Sequence, residues 1–177
     1  VETQVPAPAL YQLPQLAAFA MSVLRCQGFL EALSLLNGEA SDLCASYELR
    51  RLPDAPDLAT ALGLRVEDYA LRVIAPARDL PAPLWDIKLA PCGRAQLEQV
   101  CQRWFFSSRH MQAAPPGRFR AQLVAAFLES LDDALGGFSL HAVTMTPPSG
   151  FWYAIHWDEI AFESGSERYL LHFSHSD

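Results

Sequence analysis

The chain has 177 residues, of which 51% are hydrophobic, 19% charged and 11% aromatic. That supports one domain, or at most two small ones, with a core that needs no disulfide or metal staple, and it excludes a disordered or fibrous protein. The formal charge of −7 falls in the last third: residues 1–120 carry 12 bases and 12 acids, whereas from Ala121 onward Arg168 alone stands against eight acids, a field that repels phosphate backbones and anionic headgroups and attracts cationic partners.

Residues 1–13, punctuated by Pro6 and Pro8, read as an extended lead-in. A helix then opens at Pro14, a residue suited to the first helical position. Leu16, Phe19, Ala20, Val23 and Leu24 keep the spacing of a buried stripe, and Gln27-Gly28 ends it. Phe29 to Leu36 repeats the pattern up to Asn37-Gly38, so the two segments read as a helical hairpin. Tyr47-Glu48-Leu49 fits a strand, and Asp57 caps a short helix to Leu62. Ala70 to Ala75 reads as a buried strand. Leu84 to Leu89 alternates, with Trp85, Ile87 and Leu89 on one face.

A helix from about Arg94 to Phe106 carries Leu97, Val100, Cys101, Trp104 and Phe105 as its stripe. Another follows Pro115-Pro116-Gly117 and closes at Gly136-Gly137, glycine being a common left-handed stop. The loop between them, Ser107 to Pro116, is a candidate mobile segment. The period then changes to two. Phe138–Thr146, Phe151–Phe162 and Arg168–His175 read as three antiparallel strands, separated by Pro147-Pro148-Ser149-Gly150 and Ser164-Gly165-Ser166. The expected fold is therefore one α+β domain over residues 1–177. An N-terminal helical hairpin and two further helices pack on one face of a mostly antiparallel sheet that ends in a three-stranded C-terminal meander.

The meander holds eight of the nineteen aromatics. In Phe151–Phe162 both alternating faces are apolar: Trp152, Ala154, Ile160 and Phe162 on one, Tyr153, Ile155, Trp157 and Ala161 on the other. The second set is either covered by more protein or exposed for binding. Aromatics beside acids suit an interface of apolar anchors and charged rim. On that basis the expected function is that of a small acidic binding protein engaging a basic protein partner. An inhibitor or immunity-type protein that neutralises a bacterial toxin or nuclease has these properties. Trp157, Asp158, Glu159 and Glu163 would make the contact, with Glu167 on the rim. Protonation of His141, His156, His172 and His175 would weaken it toward mildly acidic pH.

The alternative is a hydrolase. His156 and Asp158 share a strand face, and His172 on the next strand would complete a metal or acid–base cluster, with His141 as a further candidate. His172 and His175, three apart on a strand, face opposite sides. Cys92 stands at the start of a helix, where unpaired N–H groups and the helix dipole favour a thiolate nucleophile. Cys101 reads as core.

Asp57 to Tyr69 has the Ala59-x-x-x-Gly63 spacing of a helix-turn-helix bend, but the second helix would open Arg65-Val66-Glu67-Asp68, acidic where phosphates would be met. No nucleic-acid partner, cofactor or bound metal is expected. The four cysteines form no paired motif and fit reduced thiols in the cytoplasm. No run of about 18 apolar residues announces a membrane span, and Val1-Glu2-Thr3-Gln4 lacks the basic start of a signal peptide.

Overall fold

A computed structural model of the chain describes residues 13–39, 43–73, 85–108, 112, 117–149 and 151–176. Residues 1–12 of the lead-in, residues 74 and 75 of the expected strand, and most of the Ser107–Pro116 loop lie outside the described residues, while Leu13 already belongs to the first helix. The first helix, α1 (Leu13–Glu39), runs without a break through Gly28. The expected helical hairpin is therefore one continuous helix. Its buried stripe, Val23, Cys26, Leu30 and Leu33, stays in phase across the glycine. Burial of that stripe outweighs the roughly 1 kcal/mol that a mid-helix glycine costs. Joined in this way, Ala17–Glu39 is long and apolar enough to cross a membrane, with a mean hydropathy of 1.3.

Strand β1 (Cys44–Arg51) contains the expected Tyr47-Glu48-Leu49. Helix α2 (Leu58–Val73) starts where Asp57 accepts a hydrogen bond from the Thr60 N–H at 2.7 Å. It continues through Gly63 rather than stopping at Leu62, so there is no helix-turn-helix bend, and Ala70 to Val73 is helix, not strand. Leu58, Ala61, Leu62, Val66 and Ala70 are all buried, and this stripe at intervals of three and four carries the helix past the glycine.

Strand β2 (Asp86–Pro91), helix α3 (Arg94–Phe105) and helix α4 (Gly117–Leu135) fall close to their expected bounds. So do β3 (Ser139–Thr146) and β5 (Glu167–Ser176). Strand β4 (His156–Ser164) begins five residues later than the pattern indicates, and residues 151–155 form an irregular approach to it. Between β4 and β5 the turn is Gly165-Ser166, where Gly165 has a φ of 60° that favours glycine.

The five strands form one antiparallel sheet in the order β1-β5-β4-β3-β2. It is covered on both faces, which corrects the expectation of helices on one side only. Helices α1, α3 and α4 bury Leu49, Ile160, Phe162, Leu171 and Phe173. On the opposite face α2 covers Val143, Met145, Ala161 and Leu170. Of the second apolar set of this segment, Ala161 is core, Tyr153 packs against that core, and Ile155 and Trp157 are half-buried. Helix α1 also shields the outer edge of β1: Gln27 Nε2 donates to the Leu49 carbonyl at 2.9 Å, and Ser34 Oγ to that of Ala45 at 2.6 Å.

Candidate functional site

On the α2 face, above β1 and β5, a polar cleft of about 550 Å³ is lined by Glu48, Arg65, Tyr69, Tyr153, His172 and Ser174, among others. Its floor follows from strand register. Glu159 of β4 stands directly opposite His172 of β5, and Trp157 opposite Ser174. Directly opposed residues of an antiparallel pair share a face, as do residues two apart on one strand. Glu159, His172 and Ser174 therefore all project toward α2.

They form a continuous hydrogen-bonded chain. Glu159 Oε1 lies 2.9 Å from His172 Nδ1, and His172 Nε2 lies 3.0 Å from Ser174 Oγ. The Tyr153 hydroxyl donates to the same Glu159 oxygen at 2.7 Å. With Glu159 accepting at Nδ1, the imidazole carries its proton there, and Nε2 is left to accept the Ser174 hydroxyl hydrogen. The tautomer is assigned from this network. Glu159 is buried, and among the described residues its Oε2 has no hydrogen-bond partner. Burial first, then the charge of Glu159, pushes the Tyr153 hydroxyl above its ordinary value and keeps it a donor. Tyr69, Trp85 and Trp157 hold the Tyr153 ring edge-on, each with centroids 5.4 Å away.

Of the expected docking residues, Trp157 and Glu159 share the α2 face and both meet Tyr153, while the other three are engaged elsewhere. Trp157 is half-buried against Tyr153. Asp158 points to the opposite face, where Trp104 Nε1 and Arg103 donate to it at 2.5 and 2.6 Å. Glu159 is the buried acid of the chain just described. Glu163 accepts from the buried Arg168 at 2.7 Å, and Glu167 pairs with Arg51 at 3.2 Å. Arg168 also donates to the Ala55 carbonyl at 2.7 Å, tying the loop before α2 to the sheet. Each of the four acids already has an intramolecular donor.

The alternative cluster is rearranged as well. His156 and Asp158 share a face as expected, but His172 lies on the other, because register sets Glu159, not Asp158, against it. Among the described residues no group of three or more His, Cys, Asp or Glu side chains is placed to hold a metal. His141 sits beside Ser139 at 3.3 Å, opposite Ala161 and separated from His172 by the whole of β4. His172 and His175 face opposite ways, as expected; His175 packs on Trp104, centroids 4.9 Å apart. The Cys92 thiol is pushed up by burial, against the lowering expected at a helix start, and Cys101 is fully buried core.

Two participants escaped the sequence reading: Ser174 and Tyr153. The first had a legible signal in His172-Phe173-Ser174, two polar side chains on one face of a central strand. Tyr153 had a weaker one: the alternation sets it on the face of Glu159, although it reaches that carboxylate from irregular chain before β4.

No protein-family model matches the chain, and no curated protein is significantly similar to it. Among solved structures, two crystal structures of citrus MAF1 are matched at low similarity. They are 11% and 14% identical with TM-scores of 0.44 and 0.46, each match covering 88% of this chain and 98% of that one.

Proposed function

We propose that the cleft is a catalytic centre for acyl transfer and that the protein is a serine-dependent hydrolase of an ester or amide. The observation that supports this is the Glu159–His172–Ser174 hydrogen-bonded chain ending in a cleft. Ser174 Oγ attacks the substrate carbonyl carbon while its proton passes to His172 Nε2. The tetrahedral intermediate collapses as the C–O or C–N bond to the leaving group breaks, and that group takes the proton from His172. Water then repeats the sequence on the acyl-serine and releases the acid. Glu159 is a positioning residue that holds Nδ1–H and the imidazolium formed in each half. Arg65, on the wall of the same cleft and 3.9 Å from Glu48, is the cleft's candidate source of positive charge for the oxyanion.

A fluorophosphonate probe tests this. It is expected to modify Ser174, identified by peptide mass spectrometry, in the wild-type protein but not in His172→Asn. Hydrolysis of p-nitrophenyl acetate is expected to vanish in Ser174→Ala at unchanged circular dichroism. An unmodified Ser174 in folded protein, or esterase activity that survives Ser174→Ala, would refute the assignment.

A second reading is engagement of a basic protein partner, in the manner of an inhibitor or immunity protein. It is favoured by exposed acids on the outer face of α4, Glu129, Asp132 and Asp133, of which Asp132 is held by Arg94. Complementary charge of this kind raises association rates. Salt-sensitive inhibition of a basic nuclease that is lost in Glu129→Lys/Asp133→Lys would carry this reading over the first.

A further inference from the structure

Among the described residues, helix α1 buries one side in the core and leaves the other exposed. Of the seven large apolar side chains exposed among the described residues, four are on this helix: Met21 at 62%, Leu24 at 58%, Leu35 at 63% and Leu36 at 52%. At 100° per residue Met21, Leu24 and Leu35 fall on one outward face with Gly28 at its centre, Leu36 at its margin and the exposed Glu39 closing its C-terminal end. A contiguous apolar face of this kind marks an interaction site rather than scattered surface leucines. A Cβ built on Gly28 meets nothing within 4 Å, so the middle of the face is open to a close approach.

The charges at the borders of this face indicate what covers it. Arg25 lies about 60° to one side of the Gly28 line and Glu31 about 60° to the other, and both are exposed. A second copy packed parallel about a two-fold axis along the helices sets the Arg25 border of each chain against the Glu31 border of the other. The stagger between the two charges is about 9 Å along the axis, within reach of two long side chains from adjacent turns. An antiparallel two-fold sets like borders together instead. We propose that the protein is a homodimer built on parallel packing of two α1 faces across Gly28. Such an interface is isologous and closes on itself, so it consumes the apolar face without leaving a further one for growth into fibres. The cleft is on the other side of the sheet from the core face of α1, so dimerisation leaves it open.

Analytical ultracentrifugation of the wild-type chain and four variants tests the proposal. Wild type is expected to sediment as a dimer and the exposed-site variant Leu24→Glu as a folded monomer. Arg25→Glu or Glu31→Arg alone is expected to weaken the dimer about tenfold, through two like-charge contacts each. The double swap Arg25→Glu/Glu31→Arg is expected to restore it. A wild-type monomer up to the solubility limit would overturn the proposal, as would single reversals without effect. A monomer that floats with phosphatidylcholine vesicles would overturn it too, and would assign the face to a membrane.

Discussion

Asn37 offers the most direct check on how the layers are held. It is fully buried at the end of α1. Its Nδ2 donates to the carbonyls of Leu33 at 3.0 Å and Phe105 at 3.2 Å, and its Oδ1 accepts from the Ser107 hydroxyl and the Ser108 N–H, both at 3.2 Å. The Leu33 carbonyl is an ordinary helix acceptor, and Ser107 keeps a second partner in Tyr47 at 3.1 Å. The Phe105 carbonyl is different, because it belongs to the closing turn of α3, where backbone carbonyls have no helical partner of their own. Asn37→Ala takes away its side-chain donor in the interior and removes one hydrogen bond to the Ser108 N–H. At about 1–3 kcal/mol for a buried group left unsatisfied and about 1 kcal/mol for a lost hydrogen bond, the loss comes to about 3 kcal/mol. For a chain of this size that lowers Tm by about 6–12 °C. Urea unfolding followed by tryptophan fluorescence, with scanning calorimetry beside it, reads both quantities. The exposed neighbour Glu39→Ala is expected to stay within about 0.5 kcal/mol of wild type. A loss below about 1 kcal/mol for Asn37→Ala would show that water reaches these groups, and the account of the α1–α3 junction would fail.

Two further outcomes follow from the sheet. Burial first, and then the nearby His156, hold the His175 pKa below its ordinary 6.5. The unfolded chain therefore binds this proton more readily than the folded one. The stability contributed is complete above about pH 6.5 and declines as pH falls from there toward the folded value. Urea midpoints at pH 5 and 7.5 are expected to differ less in His156→Gln than in wild type, and an unchanged difference would contradict the coupling. At the β4–β5 turn, Gly165→Ala places a Cβ at φ 60° with nothing crowding it. Only backbone strain is then felt, about 1–2 kcal/mol by chemical denaturation, and Gly165→Asn is expected to recover part of it.

Much of the architecture was legible because hydrophobic period is a local property. The period-two runs around β3 and β5 and the stripe of α3 identified themselves. Glycine misled in two places. Gly28 and Gly63 were read as stops, yet in each helix the buried stripe continues in phase on the far side, and packing prevails over propensity. The site was harder for a reason specific to sheets. The sequence reading placed a turn over Ser164-Gly165-Ser166 without fixing how many residues it uses. The two-residue turn Gly165-Ser166 sets Ser164 against Glu167 and, counting back, Glu159 against His172. A slip of one residue moves every side chain to the other face. The reading that joined His172 to Asp158 is off by that single step. The acids at Asp158, Glu163 and Glu167 were seen as surface because their cationic partners, Arg103, Arg168 and Arg51, mostly come from distant parts of the chain.

The polar chain under α2 also bears on why it exists. Glu159 sits on a central strand with both faces covered, two residues from Ala161, which fills the corresponding position of the same face with an apolar side chain. Taking a carboxylate out of water costs several kcal/mol, and replacing buried polar pairs by well-packed apolar ones is often neutral or stabilising. An apolar pair in place of Glu159 and His172 would extend the cluster formed by Ala161, Leu170 and Val143 without orphaning Glu159 Oε2. Fold stability alone does not account for placing a carboxylate, an imidazole and two hydroxyls there. What the arrangement does provide is a histidine fixed in one tautomer, with its acceptor nitrogen on a serine at the edge of a cleft. The cost of the network is what sets it apart from the exposed ion pairs elsewhere on the sheet, which are cheap to form and contribute little.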